Sequence, residues 1–170
     1  MLFVKRVKVL LVIAVIALNI FGASGNAHAS EKVSAQYYEI VLLAQLIYFE
    51  ARDQPMNGQL EVARVVIVRV KDKRWPNTLE GVILQGEEKL NRCQFSYLCD
   101  GKEKIVTNED AWTRAQFVAS IAYSKYMQSE ADAGCVHSYR ATYATNIGYF
   151  KELKRKRQIG DHIFYCDKAK

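Results

Sequence analysis

The stretch "IVLLAQLIYFEARDQP", residues 40–55, decides how this chain can fold. From Tyr38 to Arg52 the pattern is helical, and Gln45 is the only polar residue between Ile40 and Phe49. A helix that is apolar on nearly every side belongs inside a protein. This one closes on a carboxylate, Glu50, before the turn residues "DQPMNG". Leu43, Leu46 and Ile47 precede Glu50 by seven, four and three residues, which sets all three on its side of the helix. Apolar surroundings disfavour the charged form and predict a raised pKa. Two readings fit. Glu50 is a helix-end charge that tips into solvent or pairs with Arg52, or it is a general acid.

The N-terminus reads as something other than a domain. Lys5, Arg6 and Lys8 precede an apolar run from Val9 to Leu18, and Ala27-His28-Ala29 is a small-x-small cleavage pattern. Residues 1–29 are therefore expected to be a secretory signal peptide, with an uncleaved anchor as the alternative. Residues 30–37 are expected to be a short mobile lead, and residues 38–170 one domain. Three of the 24 Lys and Arg and none of the 18 Asp and Glu lie in the first 29 residues, so 21 basic against 18 acidic groups leave a net charge of +3. That mild excess suits anionic polymers and gives no reason to expect nucleic acid.

All four cysteines, Cys93, Cys99, Cys135 and Cys166, follow the signal segment. An even count in an exported chain implies two disulfides. Cys93 and Cys99 bracket the short loop "CQFSYLC", which favours Cys93–Cys99 and Cys135–Cys166, although four cysteines admit three pairings. A zinc site is the competing reading, and no C-x-x-C spacing supports it.

Downstream, "QLEVARVVIVRVKDK" is rich in β-branched residues, yet Ala63, Val66, Ile67 and Val70 fall at helical spacing, with Glu61 and Arg64 outside that stripe. It is read as a helix. Thr78 can cap a short helix, and Thr107 or Asn108 a longer one reaching about Met127. Residues 86–107 look irregular. "CVHSYRATYA" and "DHIFYC" read as short strands, separated by the basic, polar "KELKRKRQIG". Helices first and strands late argue for an α+β fold with a small antiparallel sheet.

"LAQLIYFEARDQPMNGQLEVARVVIVRV", "WPNTLEGVILQ", "CQFSYLCDG", "RATYA" and "IGDHIFY" resemble, in the same order, the blocks of the SleB/CwlJ-type cell wall hydrolases. The resemblance runs from about Leu42 to Tyr165. It implies a lysozyme-like fold and cleavage of peptidoglycan glycan strands between MurNAc and GlcNAc. It also implies that Glu50 is the catalytic acid, and that the product can be a 1,6-anhydromuramyl end, as from a lytic transglycosylase. Many members carry a histidine just before the Ala-x-Tyr of the fourth block. Arg140 stands there in this chain.

A hydrolytic glycosidase needs two carboxylates, whereas a lytic enzyme needs one, because the sugar's own 6-hydroxyl attacks. The candidate second carboxylates are Asp53 and Glu61, neither an evident buried partner, and Asp100, which stays open because a disulfide loop ending at Cys99 could fold it over the cleft. The lytic route is the expectation, with no metal and no cofactor. Gln94 and Ser96 are expected to hydrogen-bond sugar hydroxyls or N-acetyl groups. His137, Tyr139, Tyr143 and His162 are expected to line the sugar cleft, since aromatic rings pack on the apolar faces of sugars. The tract from Lys151 to Arg157 is a solvated face or a weak contact with membrane or wall. A monomer is expected, in the periplasm of a Gram-negative envelope or else secreted. The rivals are a zinc-dependent N-acetylmuramoyl-L-alanine amidase and a wall-binding protein without activity.

Overall fold

The structure, a computed structural model, describes residues 29–87, 92–128 and 134–167. The signal-peptide segment lies outside the described residues except for Ala29. The chain divides into two compact units, residues 1–38 and 39–170. In the first, residues 29–38 are helical, where the sequence suggests an unstructured lead.

The second unit is built around α1, residues 39–51. Leu43, Ala44, Leu46, Ile47 and Tyr48 are wholly buried and Gln45 alone in that run points outward. The Tyr48 hydroxyl accepts hydrogen bonds from the backbone N–H groups of Thr107 (3.0 Å) and Asn108 (3.1 Å). Asn108 caps α4 (Glu109–Ala122), its side chain accepting from the Ala111 N–H at 2.9 Å. One buried phenol thus ties α1 to the start of α4. A π-helical turn, Tyr123–Met127, extends that helix.

The β-branched run after Pro55 is a helix, α2 (Met56–Lys71). It begins earlier than the periodicity suggests, and Asn57-Gly58 forms its first turn. The Pro55 carbonyl accepts from the N–H groups of Gly58 and Gln59, and a proline at a helix start has no N–H to leave unpaired. Glu61, expected on a polar face, is only 6% exposed. A carboxylate so buried must be compensated. Arg64 at 3.2 Å and Arg157 at 3.4 Å do so. A short helix α3 (Leu79–Ile83) follows, capped by the Thr78 hydroxyl.

The late strands form an antiparallel sheet of order β1–β3–β2, with β1 Val136–Ala141, β2 Lys154–Ile159 and β3 His162–Cys166. Every residue of β3 is buried. The basic tract, expected as a polar connection, supplies β2, preceded by the short helix α5 (Gly148–Lys151). The expected strand through Ala144 ends at Ala141, and Tyr143 lies in a turn beyond it. Val136, Phe164 and Cys166 join residues of α1, α2, α3 and α4 in one core.

Both expected disulfides form, Cys93–Cys99 and Cys135–Cys166. They close loops of very different length, with sequence separations of 6 and 31 residues. Loop-closure entropy makes the first worth about 2 kcal/mol and the second about 4 kcal/mol. Chemical denaturation of the Cys93→Ala/Cys99→Ala and Cys135→Ala/Cys166→Ala variants is expected to show the second pair losing more stability.

Candidate functional site

Glu50 sits on the last turn of α1, where backbone carbonyls run out of helical partners. The fully buried Gln59 of α2 meets that need. Its Nε2 donates to the carbonyls of Ala51 (3.2 Å), Arg52 (3.3 Å) and Gln54 (3.2 Å). The end of the helix is thereby fixed, and the half-buried Glu50 side chain with it.

Three donors converge on the carboxylate. The Tyr139 hydroxyl of β1 donates to Glu50 Oε2 at 2.9 Å. The backbone N–H groups of Ser96 and Tyr97 supply the other two. Both begin the 3₁₀ turn Ser96–Leu98, inside the Cys93–Cys99 loop. The buried Tyr97 ring stacks on Phe49, with centroids 5.1 Å apart and planes 13° from parallel. The residue beside the acid therefore locates the loop that holds the acid. Arg52, the alternative partner from sequence, lies over the Tyr48 ring instead and 3.9 Å from Asp53.

Burial raises the pKa of Glu50, and the Tyr139 hydroxyl and the two N–H groups partly oppose that rise. Tyr139 is itself pushed well up, by burial first and by the adjacent Glu50 second. Burial lowers the pKa of His162, which favours its neutral imidazole.

A cavity of about 410 Å³ opens over Glu50, lined by Gln94, Ser96, Tyr139, Tyr143 and His162, all expected from sequence. Tyr143 stands at its rim, 81% exposed. His162 packs beside Tyr139, ring centroids 5.0 Å apart. His137 does not belong to this group. Its ring lies in a second cleft, with Nε2 3.2 Å from Asp72 and 3.3 Å from Arg74. Two charged lining residues escaped the sequence reading as site members. Arg69 comes from the last turn of α2, outside the apolar stripe, and Arg140 from β1. Arg140 donates to the Tyr165 hydroxyl at 3.0 Å and to the Ala141 carbonyl at 2.9 Å.

Among the described residues lining this cavity, Glu50 is the sole carboxylate. The Asp53 side chain is 90% exposed. Glu61 is engaged by two arginines, and Asp100 by the Lys104 ammonium and the Lys102 N–H. Among the described residues no cluster of three His, Cys, Asp or Glu side chains could hold a metal. His137 and His162 line different clefts.

A helical core with a three-stranded antiparallel sheet beside a half-buried glutamate defines a lysozyme-like α+β domain. The sequence matches the Cell Wall Hydrolase family over residues 53–165, a span that begins three residues after Glu50. The chain belongs to that family, in its SleB/CwlJ-type branch. The spore cortex-lytic enzyme of Halalkalibacterium halodurans is 28% identical over 141 residues, covering 82% of this chain and 38% of the relative. That of Bacillus subtilis is 36% identical over 73 residues, covering 43% of this chain and 22% of the relative. The chain thus spans less than two-fifths of the length of these relatives. The catalytic domain of Bacillus cereus SleB superposes with a TM-score of 0.57 at 27% identity, covering 76% of this chain and 89% of that domain. The catalytic domain of the germination-specific lytic transglycosylase SleB from Bacillus anthracis gives 0.58 at 26% identity, with 76% and 93% covered.

The three-donor arrangement has a measurable sign. Tyr139→Phe removes a hydrogen bond that favours the carboxylate, so the Glu50 pKa should rise further. A carboxyl ¹³C NMR titration is expected to place the variant's midpoint above the wild type's. A lower midpoint would mean that Tyr139 does not stabilise the ionised form.

Proposed function

We propose that this chain cleaves the MurNAc–GlcNAc glycosidic bond of peptidoglycan as a lytic transglycosylase, with Glu50 serving as acid and then base. The observation that carries this reading is the lone carboxyl of the cavity, half-buried and gripped by three donors. Family membership supports the substrate class.

The chemistry follows from the geometry. Burial keeps Glu50 protonated further up the pH scale than a free carboxyl. The acid gives its proton to the bridging oxygen as the C1–O bond breaks. Tyr139 and the N–H groups of Ser96 and Tyr97 then face an anion, which they stabilise in place. That carboxylate takes the proton of the muramyl 6-hydroxyl as its oxygen bonds to C1, closing the 1,6-anhydro ring. The acid form is restored without a second carboxylate. Gln94, Ser96, Tyr143 and His162 are positioned to hold the sugars, while His137 has no such place. The exposed Lys154 and Lys156 of β2 suit a weak contact with an anionic wall polymer or membrane. We assign the protein to the space outside the cytoplasmic membrane, in keeping with the signal-like N-terminus and two disulfides.

An amidase would need three zinc ligands, and the separation of His137 from His162 disfavours that reading.

Glu50→Gln keeps the shape of the side chain and removes the transferable proton. Muropeptide release from sacculi is expected to fall by at least about a thousandfold, with melting near that of wild type. Mass spectrometry of the wild-type digest should find anhydro-muropeptides. Reducing-end MurNAc would indicate hydrolysis, chelator-sensitive release of peptides an amidase, and binding to sacculi without release a wall-binding protein. A Glu50→Gln protein that releases muropeptides at a near-wild-type rate would overturn the assignment.

A further inference from the structure

Arg69 is the buried cation of the cleft, 7% exposed, on the last turn of α2. Its guanidinium lies over the Trp75 ring, 4.2 Å from the centroid, and 5.7 Å from that of Phe95. Nε donates to the His137 carbonyl of β1 at 2.8 Å. Nη1 donates to Gln94 Oε1 at 3.3 Å. One side chain therefore joins α2, β1 and the disulfide loop directly beneath the cavity.

The contact with Gln94 carries chemical information. A guanidinium has donors and no acceptor. A carboxamide facing it must present oxygen, since its NH₂ would set donor against donor. The NH₂ of Gln94 is thereby turned the other way. Gln94 is exposed and lines the Glu50 cavity, and its Nε2 has no protein partner among the described residues.

We propose that Arg69 is a positioning residue that fixes the Gln94 carboxamide with its NH₂ toward the substrate, making Gln94 a reader of the sugar's N-acyl carbonyl. This proposal rests on the glycan-cleaving reading above. A pair of fixed N–H donors backed by a cation accepts an acyl oxygen. It disfavours the ammonium of a de-N-acetylated glucosamine, which offers donors and positive charge in the same place. The site then selects N-acetylated strands over de-N-acetylated ones.

The decisive variant is Gln94→Glu. It preserves side-chain length and gives Arg69 a stronger, charged acceptor, so the loop stays held. It also replaces the outward donors by an acceptor. The assay compares muropeptide release from untreated sacculi and from sacculi treated with a peptidoglycan N-deacetylase. Wild type is expected to favour untreated sacculi. Gln94→Glu is expected to keep or raise the melting temperature, to lose at least about tenfold in kcat/KM on untreated sacculi, and to equalise or invert the preference. Arg69→Met frees the carboxamide to rotate and should weaken the preference with Gln94 still present. A merely structural Arg69–Gln94 contact predicts unchanged preference in Gln94→Glu, and that result overturns the proposal while leaving Glu50 untouched. A wild type with no preference overturns it equally. A wild type releasing nothing from either preparation removes the glycan-cleaving reading and this proposal with it.

Discussion

The hydrogen bond from Tyr139 to Glu50 joins residues 89 positions apart, and the site exists only where that distance has been closed. Glu50 belongs to the first helix of the folded unit, and Tyr139 to a sheet made from the end of the chain. Neither is placed by local structure alone. Gln59 fixes the helix end, β3 lies fully buried between β1 and β2, and the Cys135–Cys166 bridge joins the start of β1 to the end of β3. The Glu50 carboxyl is therefore as well positioned as the core beneath it.

The same constraint explains why the carboxyl is tuned rather than simply buried. Apolar surroundings alone favour the protonated carboxyl. Three donors from two separate elements offset part of that burial. The Cys93–Cys99 loop contributes two of them through main-chain groups, which any substitution other than proline leaves in place. Tyr139 contributes the third, and it is the adjustable one.

Much of this was legible in the sequence, for identifiable reasons. The nearly all-apolar α1 marked the core, and the glutamate that closes it marked the carboxyl over which the cavity opens. Helical spacing overrode the strand propensity of the valine-rich run, because Val62, Val65, Val66 and Ile67 are buried around the helix rather than on one side of a strand. What failed was what depends on distant partners. Glu61 looked solvent-facing until Arg64 and Arg157 compensated it. Two residues apart on a regular strand, His137 and Tyr139 would share a face. The pairing of β1 with β3 is irregular between Val136 and Ser138, and that bulge turns His137 toward Asp72. Arg69 was not singled out because its partners, a β1 carbonyl and a loop carboxamide, lie far from it along the chain. β2 went unread because an edge strand held by main-chain pairing needs no alternation of apolar side chains.

That edge strand has a consequence of its own. A free strand edge is a template on which another chain can extend a sheet. Here the edge carries Lys154, Arg155, Lys156 and Arg157 in succession, all exposed, and its register with β3 breaks between Arg155 and Arg157. Like charges repel an approaching copy, and the break spoils the ladder it would have to match. The basic tract thus acts as a guard against edge-to-edge aggregation, whatever else it meets.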